Sequence, residues 1–252
     1  MNSRTVFLCE DTADGIFTGI YKAWEMGTSR TGIAVKGLGT LNLFDSYCDT
    51  VTDSHLACKV ASSIQKKLSM DIYSWCYHVV LSDVTDKGQL LYEFLQKAFR
   101  IGPSIVNYLQ DPTVNRVFTI TNTVSKEVHH YLGFVQFEEL NNGVLISRIN
   151  PKSNVIPLIA THFADRLHCE NWIILDTNRD IAAVHSAERG YCITYELNEA
   201  KLLNFAPLSA NEARYKELWK NFFSTIAISE RYNPELQRNL LPLRYRRYMT
   251  LN

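Results

Sequence analysis

In the first half of the chain, apolar residues recur mostly at intervals of three and four, the period of a helix with one buried face. A helix is predicted behind a cap at Asp11 or Thr12, and a second one follows Asp53. Two or three more helices are expected between residues 71 and 108, and Pro112 opens the last. Residues 1–131 are therefore interpreted as a helix-rich segment.

Short apolar runs interrupt this helical pattern. Val6–Leu8 and the residues just before Asp53 predict two short strands. The segment Gly27–Gly39 contains four glycines and little periodicity, so we expect a loop there.

The pattern changes at Gly133, where β-prone runs begin. Gly133–Glu138 and Val144–Ile149 flank Asn142-Gly143, a dipeptide that favours a two-residue hairpin turn. A helix over 153–167 follows, and Trp172–Leu175 is an uninterrupted apolar run typical of a buried central strand. Residues 181–184 and 191–195 predict two more strands. Segment 132–197 therefore predicts a ββαβββ core with an antiparallel or mixed sheet.

The C-terminal residues 209–252 return to a helical pattern. Ser209 and Glu212 form a capping box, and an apolar stripe from Tyr215 to Ile226 lies behind it. No linker, repeat or low-complexity tract divides the chain. We therefore predict a single α+β domain over 1–252, whose central sheet is flanked by N-terminal and C-terminal helices.

Composition and charge narrow the class of protein. A chain that is 46% hydrophobic can bury a core, which excludes wholesale disorder. The 26 basic and 26 acidic residues cancel, which argues against a histone-like protein held to nucleic acid by bulk charge. The six cysteines form no CxxC pair, and neither a secretory leader nor a membrane-spanning apolar stretch is evident. We expect a cytoplasmic protein with reduced thiols and no membrane contact.

One helical segment groups residues with catalytic potential. His162, Asp165 and Arg166 fall on one side of the predicted helix 153–167, where a histidine and a carboxylate could share a proton or bind zinc. Asp176, at the end of a predicted strand, could project into a site at the sheet edge. The simpler interpretation is that Asp165 and Arg166 pair with neighbouring elements and that Asp176 forms a turn with Arg179 and Asp180. No phosphate loop, dinucleotide fingerprint or nucleophile elbow accompanies them, so no cofactor and no metal site is predicted.

The last part of the chain is locally basic. Residues 229–252 contain five arginines and two glutamates, a net charge of +3 within a neutral protein, and tyrosines alternate with the arginines. Arginine beside aromatic rings suits phosphate contact and base stacking, whereas a solvated surface or bridges to core carboxylates are the alternatives. The predicted nucleic-acid-binding residues are Arg231, Arg238, Arg244, Tyr245, Arg246 and Arg247.

Four stretches spread through most of the chain resemble a known family. They are Asp11–Tyr21, His129–Phe137, Asn154–Arg166 and Ile226–Arg238, the last continuing through Leu241–Tyr245. The order of these stretches resembles a bacterial domain-of-unknown-function family whose members are described as DNA metabolism proteins. The resemblance implies a neighbouring radical SAM protein of DNA repair, and some members are fused to a uracil-DNA-glycosylase-like domain. It transfers no catalytic residues.

The chain departs from the family pattern at three positions. His130 stands where the family usually has arginine, Gln136 where it has a basic residue, and Arg246 where it has tryptophan. The last change removes a possible stacking ring and adds positive charge.

Three functions remain open at this point. The leading hypothesis is an accessory or nucleic-acid-binding module in DNA repair that acts with the radical SAM protein, with DNA as a second candidate partner. The first alternative is a nuclease, glycosylase or base-modifying enzyme with a site around His162, Asp165 and Arg166. The second is a protein-interaction module that makes no contact with DNA.

Overall fold

A computed structural model describes residues 4–40, 42–195, 197, 207–226, 228, 231 and 233–249. The chain divides into two compact units, Met1–Lys126 and Glu127–Asn252, and each is described by itself. The single domain expected over 1–252 stays a prediction.

The first unit is built on a three-stranded parallel sheet. Strand β1 (Thr5–Cys9) lies in the centre, between β2 (Thr31–Val35) and β3 (Ser46–Asp49). The two strands expected near Val6 and before Asp53 are confirmed. Strand β2 shows that the predicted loop over Gly27–Gly39 was wrong, because its five residues complete their hydrogen bonds by pairing with β1 along its whole length.

Helices cover this sheet in the expected order. Helix α1 (Ala13–Met26) connects β1 to β2, and Thr12 caps it through a 3.0 Å hydrogen bond from the Gly15 N–H. Asp53 caps the second helix by accepting from the N–H groups of His55 and Leu56. The helices after α1 are α2 (Ser54–Lys67), α3 (Met70–Leu81), α4 (Lys87–Ile101), a 3₁₀ turn (Pro103–Asn107) and α5 (Pro112–Phe134).

The second unit contains the predicted ββαβββ core. Its sheet has the strand order β4-β5-β6-β7-β8, with β5 and β6 parallel and the other neighbours antiparallel. The predicted α+β fold class with a mixed sheet is therefore confirmed, and β6 is the central strand expected from its apolar run. The elements are β4 (Glu138–Glu139), β5 (Leu145–Ile149), α6 (Ile156–Arg166), β6 (Trp172–Asp176), β7 (Ile181–Ser186) and β8 (Gly190–Tyr195).

The beginning of this core differs from the prediction. Helix α5 continues through Phe134, whose ring stacks on that of His130 one turn earlier. Of the expected first strand Gly133–Glu138, only its last residue therefore lies in the observed strand β4, which is Glu138–Glu139. A hairpin turn is present at the expected place, but its loop has three residues, 141–143, instead of the two predicted: the Leu140 N–H donates to the Val144 carbonyl and the Gly143 N–H to the Leu140 carbonyl, both at 2.9 Å. Gly143 has φ of +80° and takes the left-handed position at the end of this loop, whereas Asn142 lacks the positive φ that the two-residue turn requires. A helix with a buried apolar face thus extended into a β-prone sequence.

The C-terminal elements are two helices and a short 3₁₀ segment. They are α7 (Ala210–Ile226), α8 (Pro234–Leu240) and the 3₁₀ segment Leu243–Tyr248. The Ser209 hydroxyl caps α7 by accepting from the Glu212 N–H at 3.1 Å, whereas the Glu212 carboxylate accepts from the Glu139 N–H. Among the described residues, no helix combines the length and the apolar character needed to cross a membrane.

Candidate nucleic-acid interface

The carboxyl ends of β5 and β6 meet at one edge of the second sheet, because these two strands are parallel. The residues that leave the two strands there are locked together: the side-chain amides of Asn150 and Asn178 donate to one another at 2.8 and 3.0 Å. Asn178 also donates to the Pro151 carbonyl at 2.7 Å. The two loops therefore form one hydrogen-bonded surface.

Asp176, the last residue of β6, is fully buried beneath this surface. Its carboxylate accepts from the Asn178 N–H at 2.9 Å and from the Arg179 guanidinium at 3.0 Å. Burial raises the pKa of Asp176, and the hydrogen bonds from Asn178 and Arg179 oppose that rise. Arg179 also donates to the carbonyls of Pro151 and Lys152, so Asp176 holds an arginine and two loops in place.

A second buried carboxylate supports the same region. Glu127 on α5 is 3% exposed and accepts from the N–H groups of Lys152 and Ser153 at 2.9 and 3.0 Å. The Arg244 guanidinium lies 3.8 Å from the same carboxylate. Glu127 therefore fixes the loop before α6 and orients one arginine of the C-terminal segment.

Tyr245 anchors the 3₁₀ segment in the core of the second unit. Its ring is 5% exposed and packs edge-on against His130 and Tyr131, both at 5.0 Å between ring centroids. Its hydroxyl lies 3.0 Å from His130 Nδ1, and Arg244 covers the ring at 4.5 Å. Burial lowers the pKa of His130 and raises that of Tyr245. Because the ring is enclosed, it offers no face for base stacking.

The rest of the segment reaches the carboxyl edge of the sheet. The Tyr248 hydroxyl lies 3.2 Å from Thr177 Oγ1, and the guanidinium carbons of Arg247 and Arg148 lie 5.3 and 5.7 Å from the Tyr248 ring. Arg246 turns back and donates twice to the Leu241 carbonyl.

Five cations thus surround the carboxyl ends of β5 and β6, and we call them the arginine rim. Asp176 and Glu127, next to it, are buried and hydrogen-bonded, and Glu138 pairs with Arg148 and Lys216. Three of the five cations are therefore already paired with a carboxylate, and the cations outnumber these three carboxylates by two. The rim consists of Arg148, Lys152, Arg179, Arg244 and Arg247.

The structure separates the other predicted binding residues from the rim. Arg238 lies exposed on α8, where its Nε donates to the Pro234 carbonyl at 3.2 Å, and Arg231 is also exposed. Within the described part of the chain, no hydrogen bond or ion pair joins either residue to the rim.

The four predicted catalytic residues do not converge. His162, Asp165 and Arg166 lie on the exposed side of the second half of α6. This helix connects two parallel strands and runs opposite to them, so the trio lies towards the beginning of β6, whereas Asp176 ends it. Five residues of strand separate these ends by about 13 Å. Among the residues described, no cluster of three His, Cys, Asp or Glu could hold a metal ion.

Sequence reasoning missed three members of the rim. Arg148 and Lys152 precede Arg179 by 31 and 27 residues, and only the parallel pairing of β5 with β6 brings them together. The available signal was a strand–helix–strand pattern with polar residues directly after each strand.

The protein is thus an α+β protein whose second unit has a mixed sheet with the arginine rim at one edge. Residues 85–250 match the model of a domain of unknown function, DUF4130, and the chain belongs to that family. The expected membership of a domain-of-unknown-function family is therefore confirmed. No curated protein matches the chain.

Proposed function

We propose that this protein is an accessory nucleic-acid-binding module in DNA metabolism, acting together with a radical SAM protein. The arginine rim supports the nucleic-acid part of the proposal. The four stretches that resemble DNA metabolism proteins support the biological context and the partner.

The rim suits a phosphate backbone for two physical reasons. Guanidinium groups bind phosphate oxygens through two parallel hydrogen bonds, and contacts with phosphates supply most of the affinity of nucleic-acid binding. Buried carboxylates already orient Arg179 and Arg244, so binding would order few additional side chains. The predicted stacking by Tyr245 is not part of the proposal, since that tyrosine positions the segment instead.

Charge reversal at the rim tests the proposal. We expect the double variant Lys152→Glu/Arg247→Glu to bind labelled DNA at least about tenfold more weakly than wild type at low salt, and wild-type binding to weaken as salt rises. Fluorescence anisotropy with single-stranded and double-stranded DNA measures both effects. These two side chains are exposed, so their substitution leaves the buried network intact.

Arg189→Glu is the matched control. Arg189 is exposed in the turn between β7 and β8, at the opposite end of the sheet from the rim, because β7 is antiparallel to β6. The Arg189→Glu variant, which carries a single charge reversal, should bind DNA like wild type. If wild type itself fails to bind DNA at low salt, both alone and with the radical SAM protein, the proposal is wrong.

A protein-interaction module is the second candidate function, and one observation favours it. Helix α7 exposes the residues of its apolar stripe, with Trp219 at 47% and Phe222 at 54% exposure. Exposed apolar patches of this kind mark protein–protein contacts. The enzyme alternative gains no comparable support, because His162, Asp165 and Arg166 do not meet Asp176.

A further inference from the structure

A groove of about 500 Å³ lies between α1, α2 and α4 of the first unit. Its floor is aromatic, with Tyr21 and Trp24 from α1 and Phe99 from α4. All three rings are partly exposed. The volume is in the range of small-ligand sites.

The aromatic floor is held rigidly. Trp24 packs edge-on against Phe99 at 5.4 Å and against Tyr92 at 6.0 Å between ring centroids. Tyr92 is buried, and its hydroxyl lies 2.7 Å from Thr31 Oγ1 on β2. The indole is therefore fixed to the sheet, and a stacked ligand would cost little reordering.

Helix α2 gives the groove a basic wall. Lys59 and Lys67 line it together with Ser63, and its extension along α2 adds Lys66. Lys59 Nζ lies 5.8 Å from the centre of the Tyr21 ring, so positive charge sits directly beside the aromatic floor. Among the described lining residues, Glu25 is the single acid. A ligand that complements this site has an aromatic face and a negative charge.

We propose that this groove, the lysine groove, binds one nucleotide. The base stacks on the aromatic floor at Trp24, and the phosphate lies at Lys59 and Lys67. The nucleotide can come from two sources, a free nucleoside monophosphate or one residue of a single strand, and both present the same base and phosphate. The lysine groove is formed by the first unit alone, so it does not depend on the arginine rim of the second.

Calorimetric titration of the full chain with thymidine monophosphate, thymidine and inorganic phosphate tests the groove. We expect the monophosphate to bind at least about tenfold more tightly than thymidine or phosphate alone, because only it satisfies both the rings and the lysines. Binding should also quench tryptophan fluorescence, and the quenching should disappear in Trp24→Phe. Phosphate binding as tightly as the monophosphate would overturn the proposal.

Lys59→Glu/Lys67→Glu should weaken monophosphate binding at least about tenfold, whereas Lys126→Glu should not change it. Lys126 is exposed on α5 and lies outside the groove lining, so it controls for a single charge reversal of the same kind elsewhere on the first unit. Equal weakening by both variants, or no weakening by the double variant, would contradict the assignment.

A short oligothymidylate distinguishes the two sources of the nucleotide. If Lys59→Glu/Lys67→Glu binds the oligonucleotide as well as wild type does, the ligand is a free monophosphate. If the double variant also binds the oligonucleotide more weakly, the ligand is one residue of a single strand. The rim variant Lys152→Glu/Arg247→Glu should leave monophosphate binding unchanged. The two proposals can therefore fail independently: DNA binding tests the arginine rim, and monophosphate binding tests the lysine groove.

Discussion

Buried charged side chains in this protein hold backbone turns together. Lys87 is 3% exposed, donates to the carbonyls of Val80 and Ser82 at 2.9 Å each, and lies 2.5 Å from the Asp11 carboxylate. It thereby closes the end of α3 onto the end of β1. Glu127 and Asp176 act in the same way beneath the arginine rim. These three buried charges are satisfied within the fold, which leaves ligand binding to the exposed ones.

A carboxylate at the start of α5 makes stability depend on pH. Asp111 accepts from Lys97 at 2.6 Å and from the N–H groups of Thr113 and Val114, and these bonds, the lysine first, lower its pKa. Because the folded pKa lies below the unfolded one, this contribution is full above the unfolded pKa and is lost as pH falls through the folded pKa. Acid therefore removes the stability that the Asp111 hydrogen bonds contribute.

We predict that Asp111→Asn lowers the free energy of unfolding by about 0.5–1 kcal/mol at neutral pH, since the pair with Lys97 is partly exposed. The difference from wild type should shrink as pH falls through the lowered folded pKa of Asp111, because the carboxylate then becomes protonated. Urea unfolding over a pH series measures it. A pH-independent difference between Asp111→Asn and wild type would contradict the prediction.

At the scale of elements, α1 and β1 approach so closely that glycine is required between them. A Cβ on Gly19 would lie 2.1 Å from the Cys9 sulfur, whereas the next atoms are 3.5 Å away or more. We predict that Gly19→Ala destabilises the protein by roughly 1–3 kcal/mol, through overpacking that outweighs the better helix propensity of alanine.

Repeating the substitution in a Cys9→Ala protein tests whether the Cys9 sulfur is what destabilises Gly19→Ala. In Cys9→Ala the sulfur is absent, so adding Gly19→Ala should become neutral or stabilising by up to about 1 kcal/mol. Chemical denaturation of the four proteins of this double-mutant cycle gives the coupling free energy. Simple additivity of the two substitutions would show that the sulfur is not what Gly19 accommodates.

Elements defined by local signals were predictable from the sequence. The caps at Thr12 and Asp53 and the position of the hairpin turn, though not its length, each depend on residues within one turn of one another. Strand β2 was missed because its five residues show no local period, and only pairing with β1 makes them extended. At the site, charge alone indicated Arg244 and Arg247. The burial of Tyr245 depends on contacts with α5 that lie more than a hundred residues away.

For the molecule as a whole, zero net charge hides an uneven distribution. At about 0.1 M salt, charges act over roughly 10 Å, so a partner senses the arginine rim and the lysine groove rather than the neutral average. The family match over 85–250 contains the whole rim, whereas Tyr21, Trp24 and the lysines of α2 precede it. Nucleic-acid binding at the rim would therefore belong to the family domain, and nucleotide binding in the groove mostly to the preceding segment.

The exposed stripe of α7 leads to a prediction about the assembled protein. Tyr215, Leu218 and Ile226 share this face with Trp219 and Phe222, and a face of this kind is stabilised when a partner covers it. If the proposed radical SAM partner docks on this face, Trp219→Glu should abolish co-purification with it, because a charge would be buried in the contact. Affinity purification of the tagged chain co-expressed with that protein measures the effect.

Two variants make this result specific. Ser224→Glu places the same charge on the opposite face of α7, at an exposed position, and should co-purify like wild type. Lys152→Glu/Arg247→Glu should also retain the partner, since the rim is proposed to contact nucleic acid. Loss of the partner in all three variants would mean that the complex senses charge or stability in general. Retention of the partner by Trp219→Glu would exclude the α7 face as the docking surface and leave nucleic-acid binding at the rim as the remaining proposal.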